Sequence, residues 1–264
     1  MLRLRFVIWL LICLPGTAHA EVPQDLFGAL DHGPRAVVTD VVDGDTVVLD
    51  NGREVRLVGI QAPKLPLGRP GFEKWPLADA SKAALEKLVL GRTVTLAYGG
   101  ARVDRYNRLL AHLFTEDGTW IQGRLLGDGM ARVYSFPDNR ALVHEMLARE
   151  GHAREARDGI WALPYYVVLD TEASAAHVDR FALVEGRVLE TARVRGRTFL
   201  NFGPDWRTDF TIAISAKNWK SFAAQGISHE DYAGRRVRVR GWLKSRNGPM
   251  IDVTHPEQIE VLTQ

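Results

Sequence analysis

The chain has 264 residues, with 34 Lys and Arg against 32 Asp and Glu, for a formal net charge of +2. That length suits about two average domains, and charge so near balance excludes a composition-wide attraction to polyanions, so any such attraction must be local. The single cysteine, Cys13, excludes an internal disulfide framework.

Residues 1–20 have the layout of a secretory signal. Arg3 and Arg5 supply a basic start, residues 6–14 an apolar core, and Ala18-His19-Ala20 a small-x-small cleavage site. The apolar run is too short to span a bilayer as a helix, and nothing later is longer, so no membrane span is expected. Cleavage would give a mature chain starting at Glu21, formally neutral, without a thiol nucleophile, and exported to the periplasm or beyond. Residues 21–35, with Pro23, Gly28, Gly33 and Pro34, read as a tether.

Residues 41–63, VVDGDTVVLDNGREVRLVGIQAP, concentrate the chemistry. They read as a strand, a tight Asp43-Gly44-Asp45-Thr46 bend, a second strand, a hairpin turn and a third strand. Asn51-Gly52 suits a two-residue turn, because such turns demand positive φ. With that turn, Val47 faces Arg56 and Asp45 faces Val58, so Asp45, Val47, Arg56 and Val58 share one face. Asp45 and Arg56 are then diagonal neighbours, roughly 7–8 Å apart at Cα. Such a pair fits a plain cross-strand ion pair. It equally fits a phosphodiester-cleaving set, if the Asp104-Arg105-Tyr106-Asn107-Arg108 loop brings a second arginine to it.

A Pro/Gly-rich loop over 64–76 follows, and residues 77–90 carry Leu77, Ala84, Leu85 and Leu88 at helical spacing with Gly91 beyond. Strands are expected over 93–98 and 108–114, then a short helix over 121–128. A longer helix over 138–157 would start on an Asx cap after Pro137 and turn Leu142, Met146 and Ala153 inward. Three strands, a helix and two strands is the order of a five-stranded OB barrel.

VVDGDTVVL, the R-L-V-G-I-x-x-P strand end, DRYNRLLAHL and the closing Gly159-Ile160-Trp161 together resemble the staphylococcal nuclease, or thermonuclease, family over residues 36–161. The resemblance implies an OB-fold barrel with helices, calcium as cofactor, DNA or RNA as partner, and phosphodiester hydrolysis. By the same resemblance Asp45 matches a calcium ligand, and Arg56 and Arg108 match the phosphate-binding arginines. The chain departs from the family's Asp-x-Pro-Glu, having Gln61-Ala62-Pro63-Lys64. Gln61 thus stands where a second metal ligand is expected and Lys64 where the general base is expected. Loss of two anions and gain of a cation weakens or removes the calcium site, with Asp43 or Asp79 as the carboxylates available to compensate. Tyr134 and Arg105 fall near substrate-contacting positions.

After a small, polar linker over 171–176, strands are expected over 181–190, 198–202, 209–215, 236–243 and 250–253, with a helix over 216–224. That repeats the barrel order and predicts a second OB-like domain over 177–264, after a first over 36–165. The fold class is therefore mainly β with α: a thermonuclease-type OB barrel plus a second OB-like barrel. Along RRVRVRGWL, alternation puts Arg236, Arg238, Arg240 and Trp242 on one face. A basic face with an aromatic suits single-stranded nucleic acid, and equally suits a half-exposed strand turning its charges to water.

No Gly-x-Ser-x-Gly elbow, phosphate-binding Gly-Lys-Ser/Thr loop, dinucleotide fingerprint, haem attachment or zinc spacing occurs; His144-Glu145 lacks its second histidine, since Ala148 stands there. The expectation is an exported nuclease-like hydrolase with an altered calcium site. The alternative is a catalytically impaired nucleic-acid-binding or protein-interaction module on the same fold.

Overall fold

The computed structural model describes residues 24–262, so the signal-like leader, with Cys13 and the Ala20–Glu21 junction, lies outside the described residues. Helix α1 (Gln24–Gly28) precedes strand β1 (Asp31–Asp43), which continues into β2 (Thr46–Leu49) and β3 (Glu54–Leu57). Strand β1 starts earlier than the tether reading allowed, because Asp31 and His32 pair with Tyr98 and Ala97. A two-residue strand β4 (Ile60–Gln61), helix α2 (Ala78–Val89) and strands β5 (Thr93–Tyr98) and β6 (Leu109–Thr115) follow. The five longer strands close into a barrel in the order β1-β2-β3-β6-β5, with β3 and β6 parallel. Helix α3 (Ile121–Gly127), strand β7 (Arg132–Val133) and helix α4 (Val143–Ala156) complete this half. Strand β7 pairs with β4.

Two local expectations are corrected. The hairpin loop has three residues, not two: Thr46 pairs with Arg56 and Val47 with Val55. Only Gly52 of Asp50-Asn51-Gly52 takes positive φ, at 76°, the geometry of a three-residue loop that ends on a left-handed residue. One residue of slip exchanges the faces, so Arg56 shares its face with Thr46 and not with Val47. Helix α4 starts five residues later than the Asx cap suggested, at Val143 after a left-handed Leu142. Leu142, Met146 and Ala153 are buried as their spacing predicted.

Strand β8 (Leu169–Asp170) opens the second half, followed by β9 (Phe181–Arg187), β10 (Glu190–Val194), β11 (Arg197–Asn201), β12 (Thr211–Ile214) and helix α5 (Ala216–Ala223). Strands β13 (Arg236–Ser245), β14 (Pro249–Val253) and β15 (Ile259–Val261) end it. The pairing runs β10-β11-β12-β14-β13-β9, with β12 and β14 parallel. Strands β9 and β10 are separated by just Val188-Leu189, so treated as one broken strand they return the sheet to its start. This is the cyclic order of the first barrel, in a second OB-like curled sheet. Each half has its own apolar core, one built on residues such as Leu57, Leu96 and Leu113, the other on Leu200, Phe210 and Ile251. No helix among the described residues is long and apolar enough to cross a membrane.

Candidate active site

The Asp43-Gly44-Asp45 bend packs directly on α2 and on the segment after β4. A Cβ on Gly44 would sit 2.1 Å from Ser81 Oγ and 2.7 Å from Ala62 Cβ, so this approach is open to glycine alone. It buries Asp45 completely and nearly buries Asp43. A buried carboxylate needs compensation on every lone pair. Asp45 receives it from the Ala62 amide at 2.7 Å, from Arg56 Nη1 at 3.1 Å, and from Lys64 Nζ at 2.7 Å to each oxygen. Burial alone would raise the Asp45 carboxyl; Arg56 and Lys64 override it and hold the pKa at about 2.

Lys64 also donates to Asp43 Oδ2 at 3.2 Å, while Asp43 Oδ1 accepts from the Asp45 amide at 3.1 Å. Burial, then the neighbouring Asp45 charge, push the Asp43 carboxyl upward, against Lys64 and Arg56. The ammonium thus lies between the two carboxylates. The other acid considered, Asp79, is exposed and pairs with Lys74.

Gln61 does not join this group. Its Oε1 accepts from Arg132 Nε at 2.9 Å and Nη2 at 2.7 Å. Arg132 is buried, and among the described residues no carboxylate is in hydrogen-bond contact with it: its further bond goes to the Phe181 carbonyl at 3.3 Å, and its guanidinium lies over Phe181, Trp75 and Tyr166. Burial lowers its pKa to about 10. Neither Arg132 nor its contact with Gln61, 71 residues away, carried any signal in the sequence.

Arg56 is anchored mainly on backbone, donating to the carbonyls of Leu57 at 2.8 Å, Ile60 at 2.7 Å and Asp45 at 3.2 Å. Arg108 lies at the start of β6, two residues before Leu110, the partner of Arg56 across the parallel pair. Alternation puts both arginines on one side of the sheet. Arg108 is held by Asp104, Nε to Oδ2 at 2.8 Å, and the same carboxylate caps the loop by accepting from the Tyr106 and Arg108 amides. Arg105 and Tyr106 are exposed at the loop tip, with the guanidinium 4.8 Å from the ring centroid.

Calcium takes six to eight oxygen ligands, several of them carboxylates. Here two carboxylates share an ammonium, and the amide that would add a third oxygen is bound to Arg132. Among the described residues no group of three or more His, Cys, Asp or Glu side chains is placed to hold a metal ion. The donor set does not fit calcium.

The arginine face of β13 is not free. Arg236 and Arg238 pair with Glu185 at 3.2 and 2.5 Å, and Arg238 also reaches Glu260. Arg240 is 1% exposed and bound to Glu150 of α4 and to Glu260. Carboxylates from three other elements neutralise the ladder, so neither an open basic face nor a solvated one describes it. Trp242 remains 44% exposed and donates from Nε1 to the Tyr134 hydroxyl at 3.0 Å.

A model of the staphylococcal nuclease homologue family matches residues 54–163. Endonuclease YncB of Bacillus subtilis is 33% identical over 157 residues, covering 58% of this chain and 70% of that one. The chain belongs to this family. The thermonuclease of Staphylococcus intermedius is 28% identical over 135 residues, 49% of this chain and 77% of that one. An uncharacterised protein of Bacillus anthracis is 32% identical over 140 residues, and the match covers 49% of this chain and 62% of that protein. The second OB-like half lies beyond the family match.

Proposed function

We propose that this is a phosphodiester hydrolase of nucleic acids in which Lys64 stands in for the divalent ion. One observation carries the reading: Lys64 Nζ lies 2.7 Å from both oxygens of Asp45 and 3.2 Å from Asp43. An ammonium there supplies positive charge next to Arg56 without a metal, so a bound phosphate meets Lys64, Arg56 and Arg108. The developing charge on a cleaving phosphate is what such groups stabilise. Asp43, with its raised carboxyl pKa, is the acid at the site best suited to accept a proton from water. The family, and relatives that are an endonuclease and a thermonuclease, support the reaction class; the ion set at Asp45 supports its altered metal dependence.

Export belongs to the same proposal, with Glu21 as the mature N-terminus and the periplasm or exterior as destination. Intact mass of the secreted protein tests it, and retention of residues 1–20 or a lipid on Cys13 sinks it.

The activity test is cleavage of single- and double-stranded DNA and of RNA, in calcium and in chelator. Equal, slow cleavage in both is expected of the wild type. Lys64→Glu gathers three carboxylates at one point, and its cleavage should become calcium-dependent. Vigorous wild-type cleavage abolished by chelator refutes the role given to Lys64. Tight binding with no cleavage in either condition leaves the binding-module alternative.

A further inference from the structure

Rings and guanidinium groups gather beside the site. The loop that carries Lys64 also carries Phe72 and Trp75, and the Trp75 amide donates to the Lys64 carbonyl at 3.0 Å. Phe72 and Trp75 are stacked, 6.4 Å between centroids, and Trp75 lies 5.8 Å from Tyr165. Beyond them the second half contributes Arg180, whose guanidinium sits 4.4 Å from the Tyr165 ring centroid. On the other side of buried Arg132, Phe181 lies 4.9 Å from Tyr134 and 6.5 Å from Trp242. Tyr134 in turn meets Phe136 at 5.0 Å.

The aromatics form one run across the seam between the halves, and several of its members face solvent: Tyr165, Phe136 and Trp242 are 36%, 47% and 44% exposed. Cations are interleaved with them, Arg69 over Phe72 at 3.8 Å and Arg180 over Tyr165. Arg180 is exposed, and among the described residues no carboxylate pairs with it. The acidic residues next to the run in sequence, Glu73 and Asp179, are both exposed. An apolar core would bury these rings, and a solvated surface would not collect them. Exposed rings alternating with guanidinium groups suit unpaired bases, which stack on the rings while phosphates meet the cations. Paired bases keep their faces inside the duplex and cannot use the rings.

We propose that the seam is a binding track for single-stranded nucleic acid, built jointly by both halves and leading to Lys64 and Asp45. The proposal rests on the hydrolase reading for what lies at its end. It gives the second half a role in holding substrate through Arg180 and Trp242, with buried Phe181 backing the exposed rings, and not through the arginine ladder of β13.

The test uses the full mature chain and a labelled, phosphorothioate-protected oligo-dT, with a protected duplex of equal length as control, both read by anisotropy. Tyr165→Ala should weaken single-strand binding by about tenfold, within the range of one lost stacking contact, and leave duplex binding nearly unchanged, and Arg180→Glu should weaken single-strand binding by at least as much through the lost phosphate contact. Arg180→Glu alters an exposed side chain, so unchanged thermal unfolding separates lost contact from lost fold. Unchanged single-strand affinity in both variants, beside a wild type that binds and cleaves, overturns the track while the hydrolase reading stands. Equal weakening toward duplex in Tyr165→Ala overturns the assignment to unpaired bases. A wild type that neither binds these oligonucleotides nor cleaves unprotected DNA or RNA overturns the hydrolase reading and the track with it.

Discussion

The two halves share a strand order and use their charges in opposite ways. In the first barrel, opposite charges meet at a sharp bend, and Asp43, Asp45, Lys64 and Arg56 form a compact cluster at one end of the strands. In the second, the arginines of β13 are drawn out along a strand, and each is spent on a carboxylate brought from elsewhere. Strand order, then, does not decide where a site lies. What differs is whether the paired charges gather at one end of a barrel or are consumed one by one along a strand.

The largest expected effect tests that consumption. Glu150 is fully buried; it accepts from Arg240 through both oxygens at 2.9 Å, from Arg154 at 2.9 Å, and from the Val133 amide at 2.6 Å. Burial alone would raise its carboxyl, but Arg240 and its hydrogen bonds hold it down. Removing one partner of such a pair strands the other, at a cost of about 3–5 kcal/mol. Glu150→Gln or Arg240→Ala should therefore lower unfolding free energy by about that much in a denaturant titration. Both halves should lose stability together, since Arg240 belongs to one and Glu150 to the other. Separate transitions with only the second half affected would break the comparison.

Acid should weaken both halves alike down to about pH 4 and the first barrel further below it. Burial holds His255, in the second half, neutral down to about pH 4, and His112, in the first barrel, down to about pH 3. The unfolded chain protonates both near 6.5, so stability is full above that value and falls as pH drops toward 4. A shift of about two and a half units corresponds to roughly 3 kcal/mol for His255 across that window. His255 is hydrogen-bonded to Ser135 at 2.7 Å and to Thr254 at 2.8 Å, so His255→Asn costs stability at pH 7 but should flatten the slope. Melting temperatures from pH 7 to 4 check it. The Asp45 contribution lies lower, present above about 3.8 and lost as pH falls toward 2; Asp43, raised, works in the opposite sense, losing stability as pH rises past that point.

The smallest effect comes at the exposed end of the ladder. Arg236 is exposed, and exposed pairs contribute about 0–1 kcal/mol. Arg236→Ala should leave the denaturation midpoint nearly unchanged, and a loss comparable to Arg240→Ala would show that position along β13 does not grade the cost.

Much of the architecture was legible in the residues. Alternation and turn residues gave the order of three strands, a helix and two strands twice, because both signals act over short stretches. The hairpin register was misread because Asn-Gly favours a two-residue turn, and nothing local reveals that Asn51 keeps negative φ. The position of Lys64 beside Asp45 could be suspected from the Gln61-Ala62-Pro63-Lys64 departure. The fate of the β13 arginines could not, since alternation assigns a side chain to a face but not what covers that face. Glu150 meets Arg240 across 90 residues of chain, and Arg180 meets Tyr165 across the seam.

The bond between Gln61 and Arg132 has a consequence for how this protein could acquire a metal. A glutamate at position 61, which keeps the reach of Gln61, would find a buried guanidinium already in hydrogen-bond reach and, among the described residues, with no carboxylate bonded to it. Gln61→Glu alone should therefore raise the melting temperature and confer no calcium-dependent shift, because the new charge is claimed by Arg132 before any ion arrives. Position 64 is the one that governs ion entry, because its ammonium is what Asp43 and Asp45 now share.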